Sequence, residues 1–261
     1  FRGKEYSESV CFALMEPWYI DINCDLGEGI GNEAQILPLI SSCSIACGGH
    51  AGNKDTLFEI IRLAKEQGVQ VGAHPSYPAK VNFGRKTMDI SFHDLKKSLH
   101  QQLHLFQAVS EELNVPVSHI KPHGALYNQV AKDESLALFF LEVVKNTGLC
   151  KRIYAPYGSV IADLAAKEGI AVSFETFGDR NYTEDGNLVS RTNPNALILQ
   201  PKRVLQHILP MIKKGALFTL FQKKIETRTD TICIHGDTET ALKILLYLSK
   251  ELPKHNVLLN K

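Results

Sequence analysis

Four short apolar runs, rich in β-branched residues, each end on a histidine and hand over to a segment with helical periodicity. They are Cys43-Ser-Ile-Ala-Cys-Gly-Gly-His50, Val69-Gln-Val-Gly-Ala-His74, His119-Ile-Lys-Pro-His123 and Thr231-Ile-Cys-Ile-His235, and Ala, Pro or Gly follows each final histidine. A strand, a loop and a helix in repeated succession make a βα unit, and a series of such units gives an α/β fold on a parallel sheet. Closed into a barrel, the units gather side chains from the C-terminal ends of separate strands on one face. His50, His74, His123 and His235 are therefore expected in one pocket. A lone histidine at a strand end is most often a satisfied structural residue; four in one register weigh against that reading.

The pattern predicts strands over 18–24, 43–48, 69–74, 117–122, 152–156, 170–175, 196–199 and 231–235, and helices over 54–67, 91–113, 133–147, 158–168, 202–214 and 238–251. Asp55, Ser91 and Asp133 stand where a helix is capped or opened. Gly68, Gly148 and Gly169 each stand just past a helix, where a residue with positive φ is wanted. The chain has 261 residues, and a barrel of roughly 250 residues folds as one domain. Residues 15–261 are read as that single (β/α)-barrel domain. Residues 1–14 lack the long apolar core of a secretory signal and are read as a leader or extension, with Met15 the natural start.

A formal net charge of +1 leaves no basic field to hold nucleic acid, and Lys213-Lys214 and Lys223-Lys224 read as solvated helix ends. No apolar run approaches the roughly 20 residues of a membrane span. Six cysteines in a chain this long form no paired C-x-x-C zinc pattern and need no disulfide framework. Cys43 and Cys47 alternate with Ile45 as buried free thiols do, which suits a reducing cytoplasm. His100 and His104 have the spacing of a metal pair in the longest helix, but no Glu follows the first, and they read as surface residues.

Two long loops carry the remaining polar chemistry. One follows His74 and contains Arg85; the other, 176–191, contains Asp179, Arg180, Tyr182 and Arg191. The arginines either grip a carboxylate or phosphate bidentately, or staple the loop to Asp179 and Asp185. Asp25 lies just past the first strand as a general base or metal ligand, and Glu28 is a weaker candidate. His50 and His74 join Asp25 as candidate ligands of a divalent metal, or hydrogen-bond a developing oxyanion. Lys121 and His123 share a strand face, and His235 with Asp237 repeats that spacing. The constellation reads as hydrolysis or acyl transfer at a carbonyl. Asp25, His50, His74, Lys121, His123 and His235 are the candidate catalytic residues, and Arg85, Asp179, Arg180, Arg191 and Asp237 the candidate substrate-binding ones. Which group is acid and which base stays open. If Lys121 and His123 form a catalytic pair, Lys121→Met and His123→Gln are each expected to lower turnover by at least about a hundredfold with little loss of melting temperature; equal losses of stability and activity would mark a buried structural histidine instead.

Several of these segments together resemble the LamB/YcsF family. They are Ile20-Asp-Ile-Asn-Cys-Asp-Leu-Gly-Glu28, Ile45-Ala-Cys-Gly-Gly-His-Ala-Gly52, Gly72-Ala-His-Pro-Ser-Tyr77 with Phe83-Gly-Arg85, Lys121-Pro-His-Gly-Ala-Leu-Tyr-Asn128, Gly178-Asp-Arg180 with Asp185-Gly-Asn-Leu-Val-Ser-Arg191, and Ile234-His-Gly-Asp237. They run in order through nearly the whole chain, and the chain departs from the usual pattern at Gly49, at Asn53 and in the loop 79–82. The resemblance implies a TIM-like barrel, often of seven strands, related to the glycoside hydrolase and deacetylase superfamily. It also implies the A subunit of an ATP-dependent 5-oxoprolinase, which opens 5-oxo-L-proline to L-glutamate with two other subunits. The chain has no G-x-x-x-x-G-K-[ST] loop, so ATP is expected to be bound at least partly by those subunits. A metal-dependent deacetylase of an acylated sugar or amide, and a non-catalytic regulatory subunit, are the alternatives.

Overall fold

The computed structural model describes residues 16–149 and 152–260; the leader expected over 1–14 lies outside the described residues. Six strands, β1 (Trp18–Leu26), β2 (Ser42–Ala46), β3 (Gln70–His74), β4 (Val117–Ile120), β5 (Arg152–Ala155) and β6 (Ala171–Phe177), precede an antiparallel hairpin of β7 (Ala216–Phe218) and β8 (Lys224–Glu226). β9 (Thr231–His235) and β10 (Val257–Leu259) follow. β1 to β6 and then β9 pair in parallel, and β9 returns to β1, which closes a seven-stranded barrel. β10 extends the sheet at the start of β1, Trp18 opposite Val257.

The helices are α1 (Glu33–Ile36), α2 (Lys54–Gln67), α3 (Phe92–Glu112), α4 (Gly124–Val130), α5 (Glu134–Thr147), α6 (Val160–Lys167), α7 (Pro201–Lys214) and α8 (Ala241–Glu251). Side-chain caps set three of their starts: the amide N–H groups of Thr56, Asp94 and Leu136 donate to Asn53, Ser91 and Asp133. Gly68, Gly148 and Gly169 have φ of 68°, 61° and 71° just past their helices, the left-handed region that a side chain resists.

Alternation along the strands sorts the residues into two environments. Ile20, Ile22, Cys24 and Leu26 of β1 join Leu57, Ile61, Phe106, Phe140 and Ile244 of the surrounding helices in one apolar shell. The opposite face of each strand is polar and fills the barrel. Asn23 donates to Glu175 at 2.9 Å and Thr231 at 2.7 Å, Ser44 meets His119 at 3.1 Å, and His119 stacks on Tyr154 at 3.7 Å. Barrel interiors are ordinarily packed with Val, Ile and Leu. Here hydrogen bonds replace that packing, which is tolerable only because these polar groups find partners.

The predicted strand at 196–199 is not formed. Its backbone touches the rest of the chain through an isolated bridge from Leu197 to Arg180, and the barrel closes with seven strands. Among the described residues no helix is long and apolar enough to cross a membrane. His104 is exposed and His100 half-buried, stacked at 5.7 Å on α3, as surface residues should be.

Candidate active site

The C-terminal strand ends bring one amine and two carboxyl groups into contact beneath a cavity. Lys121 follows β4, and its Nζ lies 2.8 Å from Asp25 Oδ1 on β1 and 2.8 Å from Glu175 Oε1 on β6. Asn23 Oδ1 at 3.3 Å and Cys233 Sγ at 3.2 Å complete its surroundings. All three charged residues are buried, at 1%, 4% and 2% exposure for Lys121, Asp25 and Glu175. Burial disfavours the Lys121 charge, but Asp25 foremost among its neighbours outweighs it and holds the ammonium well above the usual lysine range. Burial also opposes ionisation of Asp25; the charges of His74 and Lys121 win and hold that carboxyl well below its usual range.

Beside this cluster stands a second one, made of Glu28, His50, His74 and His123. His50 Nε2 lies 2.9 Å from Glu28 Oε1, His123 Nδ1 lies 3.4 Å from the same oxygen, and His123 Nδ1 lies 3.0 Å from His74 Nε2. The rings of His50 and His123 stack at 3.6 Å. Backbone carbonyls fix two tautomers, since an oxygen of that kind only accepts. His74 Nδ1–H donates to Lys121 O at 2.8 Å and His123 Nε2–H donates to Phe83 O at 2.9 Å. Burial pushes His50 down to about 2 and His123 well below the usual histidine range, so both rings are neutral. Burial, followed by the Asp25 charge, pushes the Glu28 carboxyl up to about 7. One donor atom from each of the four residues falls within 4.8 Å of the others, a grouping that can hold a metal ion.

Glycines let the loop after β3 lie against these rings. A Cβ on Gly84 would meet His123 at 3.0 Å and His50 at 3.1 Å. The place of a Cβ on Gly49, where the family pattern differs, is held by Ser76 Oγ at 2.3 Å and Gln102 Oε1 at 2.4 Å. Gln102 of α3 in turn accepts from Ser76 N and donates to Ser76 O, both at 2.9 Å, which pins the loop.

His235 closes β9 opposite Asp25 in the sheet register. Its Nδ1 donates to Asp179 Oδ1 at 2.9 Å; its backbone N–H and the Thr238 hydroxyl donate to Asp179 Oδ2 at 3.1 and 3.0 Å. Asp179 is wholly buried behind the histidine, so it orients His235 where the sequence suggested a substrate contact. Burial opposes its ionisation, but the His235 charge and these hydrogen bonds hold it below the usual range. With Nδ1 committed to Asp179, Nε2 is the ring nitrogen that His235 has left for the cavity it lines, and in the neutral ring that nitrogen accepts.

That cavity, of about 800 Å³, is lined by Asp25, His74, Lys121, His123 and His235 on its floor. Arg85, Lys86, Lys132, Arg180 and Arg191 stand around it, six cations with Lys121 against the single carboxylate of Asp25. Arg180 donates to Val189 O at 2.6 Å, while Arg85 pairs with Asp237 and Arg191 lies 3.6 Å from the same carboxylate. Among the described residues no ion pair joins either loop arginine to Asp179 or Asp185, so the staple that was one of the two alternatives is not formed with those partners. Asp237 bridges arginines from the two long loops at the rim, and does not line the cavity. Glu175 is the functional position that the sequence reading missed. Its signal was strand alternation, which sets Ser173, Glu175 and Phe177 on one face of β6.

Residues 20–261 match the model of the LamB/YcsF family. The A subunit of the 5-oxoprolinase of Histophilus somni is 37% identical over 239 residues, covering 92% of this chain and 97% of that protein. The protein of the same name from Staphylococcus aureus is 38% identical over 236 residues, covering 88% and 93%. The crystal structure of a lactam utilization protein from Thermus thermophilus superposes with a TM-score of 0.84 at 32% identity, covering 94% of this chain and 99% of that one.

Proposed function

The chain belongs to the LamB/YcsF family, and we propose that it is the lactam-binding subunit of a 5-oxoprolinase, cleaving 5-oxo-L-proline to L-glutamate coupled to ATP hydrolysis, together with two partner subunits. The observation that carries this reading is the cavity itself: a floor with a buried Asp25–Lys121 pair and an oriented histidine, under a rim of guanidinium and ammonium groups. The relatives named as the A subunit of 5-oxoprolinase, and the lactam utilization protein of the same fold, supply the substrate class.

5-Oxoproline carries a carboxylate and an unstrained five-membered lactam. The carboxylate suits a planar guanidinium such as Arg191 or Arg180. The lactam is resonance-stabilised and resists water. Transfer of the γ-phosphoryl group of ATP to the lactam oxygen releases ADP, makes the ring carbon electrophilic and adds negative charge that the same rim would hold. His235 Nε2 then takes a proton from the attacking water and Lys121 stabilises charge that develops on the oxygen; the adduct collapses by breaking the ring C–N bond, the proton held by His235 passes to the leaving nitrogen, and water hydrolyses the resulting acyl phosphate to glutamate and phosphate. Because the chain carries no glycine-rich phosphate loop, the nucleotide is held at least partly by the partner subunits.

Complementation tests this reading. A bacterial strain in which deletion of its own A-subunit gene abolishes growth on 5-oxoproline as nitrogen source should grow again with this chain, and not with His235→Gln. Failure of the well-expressed wild-type chain to restore growth with its cognate partner subunits would refute it.

A further inference from the structure

We propose that Glu28, His50, His74 and His123 bind one divalent ion of the zinc class beside the Asp25–Lys121 pair. The proposal concerns this chain's own residues and stands independently of the 5-oxoproline reading.

The first support is spacing. Zinc bonds to imidazole nitrogen and carboxylate oxygen are about 2.0–2.2 Å long, so donors at tetrahedral corners lie roughly 3.3–3.5 Å apart, and adjacent donors in an octahedron roughly 2.9 Å apart. The observed donor separations are 2.9, 3.0 and 3.4 Å. They have the scale of a coordination shell and come from three separate loops and a strand end.

The second support is the direction of the lone pairs. His74 Nδ1 and His123 Nε2 both carry hydrogens, because each faces a backbone carbonyl. The other nitrogens, His74 Nε2 and His123 Nδ1, face each other at 3.0 Å, with Asp25 Oδ2 3.4 Å from His74 Nε2, so there is room for at most one proton between the two rings. One proton could bridge these two atoms alone. A cation shared by all four donors satisfies both nitrogens, His50 and the carboxylate together. The carbonyls of Lys121 and Phe83 then act as outer-shell acceptors that fix ring orientation, a recurring arrangement around metal-bound histidine.

Third, Glu28 has no lysine or arginine among its ion-pair partners in the described residues; His50 and His123 fill that place. The other cluster of possible ligands, Asp25, Cys233 and His235, is different. The Lys121 ammonium already stands 2.8 Å from Asp25 and 3.2 Å from Cys233, so a fixed positive charge occupies the position a cation would take. Glu28 and His123 thus replace Asp25 in the donor set that the sequence suggested. Three nitrogens and one oxygen favour zinc, with cobalt, nickel and manganese as weaker or rarer occupants. When bound, the ion would supply a Lewis acid next to the cavity floor, where His74 and His123 are exposed to it.

Calorimetric titration of the full chain, stripped with chelator and dialysed, measures binding directly. Zn²⁺ should bind at one ion per chain, and Co²⁺ should give visible d–d absorption of a nitrogen-rich site. His74→Ala and His123→Ala should each lower affinity at least about a hundredfold, with His104→Ala as a surface control that leaves it unchanged. The Co²⁺ spectrum of the wild-type chain keeps the test open if a variant fails to fold. No stoichiometric binding and no such spectrum from the wild type, or equal affinity in folded His123→Ala, would overturn the proposal.

Discussion

Lys121→Met removes one ammonium and leaves two buried carboxylates facing each other. In the native barrel both Asp25 and Glu175 lie 2.8 Å from Lys121 Nζ and are at most 4% exposed. Breaking a buried ion pair by deleting one partner costs about 3–5 kcal/mol, because the remaining charge is neither hydrated nor compensated. For a chain of this size, each kcal/mol shifts the melting temperature by roughly 2–4 °C, so the variant should melt roughly 6–20 °C lower. This revises the sequence-based expectation that Lys121 could be replaced with little loss of stability. Adding Glu175→Gln to the variant removes one of the stranded charges and should recover part of the loss. Differential scanning calorimetry of the wild type, the single and the double variant at neutral pH measures both steps. A single variant melting within about 2 °C of the wild type would refute the reasoning, since the ammonium would then be dispensable to the folded barrel.

Asp179→Asn should lower turnover of the assembled complex by at least about a hundredfold by freeing the wrong His235 tautomer; steady-state kinetics within about threefold of wild type would exclude His235 as base. Asp21, whose carboxyl burial raises from 3.8 to about 6, is protonated more readily in the folded than in the unfolded chain. It therefore subtracts nothing below about pH 4 and increasingly destabilises the fold as pH rises through about 6, by up to about 3 kcal/mol. Asp21→Asn should raise stability in urea titrations at about pH 7.5 and flatten the fall between about pH 4 and 6; a gain that is the same at the acid end would contradict the assignment. Arg191→Lys keeps the charge but loses the fork, and should raise KM for 5-oxoproline severalfold with a smaller change in kcat. An unchanged KM would make Arg191 a rim staple to Asp237 alone.

The barrel was legible because period-two apolar runs alternate with amphipathic helices, and because four histidines fall at strand ends, where a βα fold collects them. His74, His123 and His235 line one cavity floor, while His50, expected with them, stacks on His123 and does not line the cavity. Less legible was anything set by contacts between distant elements. Glu175 is an interior strand residue that alternation places on the barrel face, but its partner Lys121 follows a distant strand, and that pairing has no local mark. Asp179 reads as a polar loop residue; its burial depends on the backbone N–H of His235, 56 positions away. Ala196 to Leu199 has the apolar composition of a strand, but the chain there docks by one bridge and cedes the barrel position to β9. The β7–β8 hairpin and β10 are three-residue strands, too short to give a period.

If this cavity opens 5-oxoproline, the most direct test is glutamate release, followed by NMR, from 5-oxoproline and ATP with this chain and its two partner subunits purified together. The expected result is one ADP per glutamate, no activity from this chain alone, and loss of glutamate release with His235→Gln while the complex still assembles. Equal glutamate release when this chain is omitted, or undiminished release with His235→Gln, would contradict it.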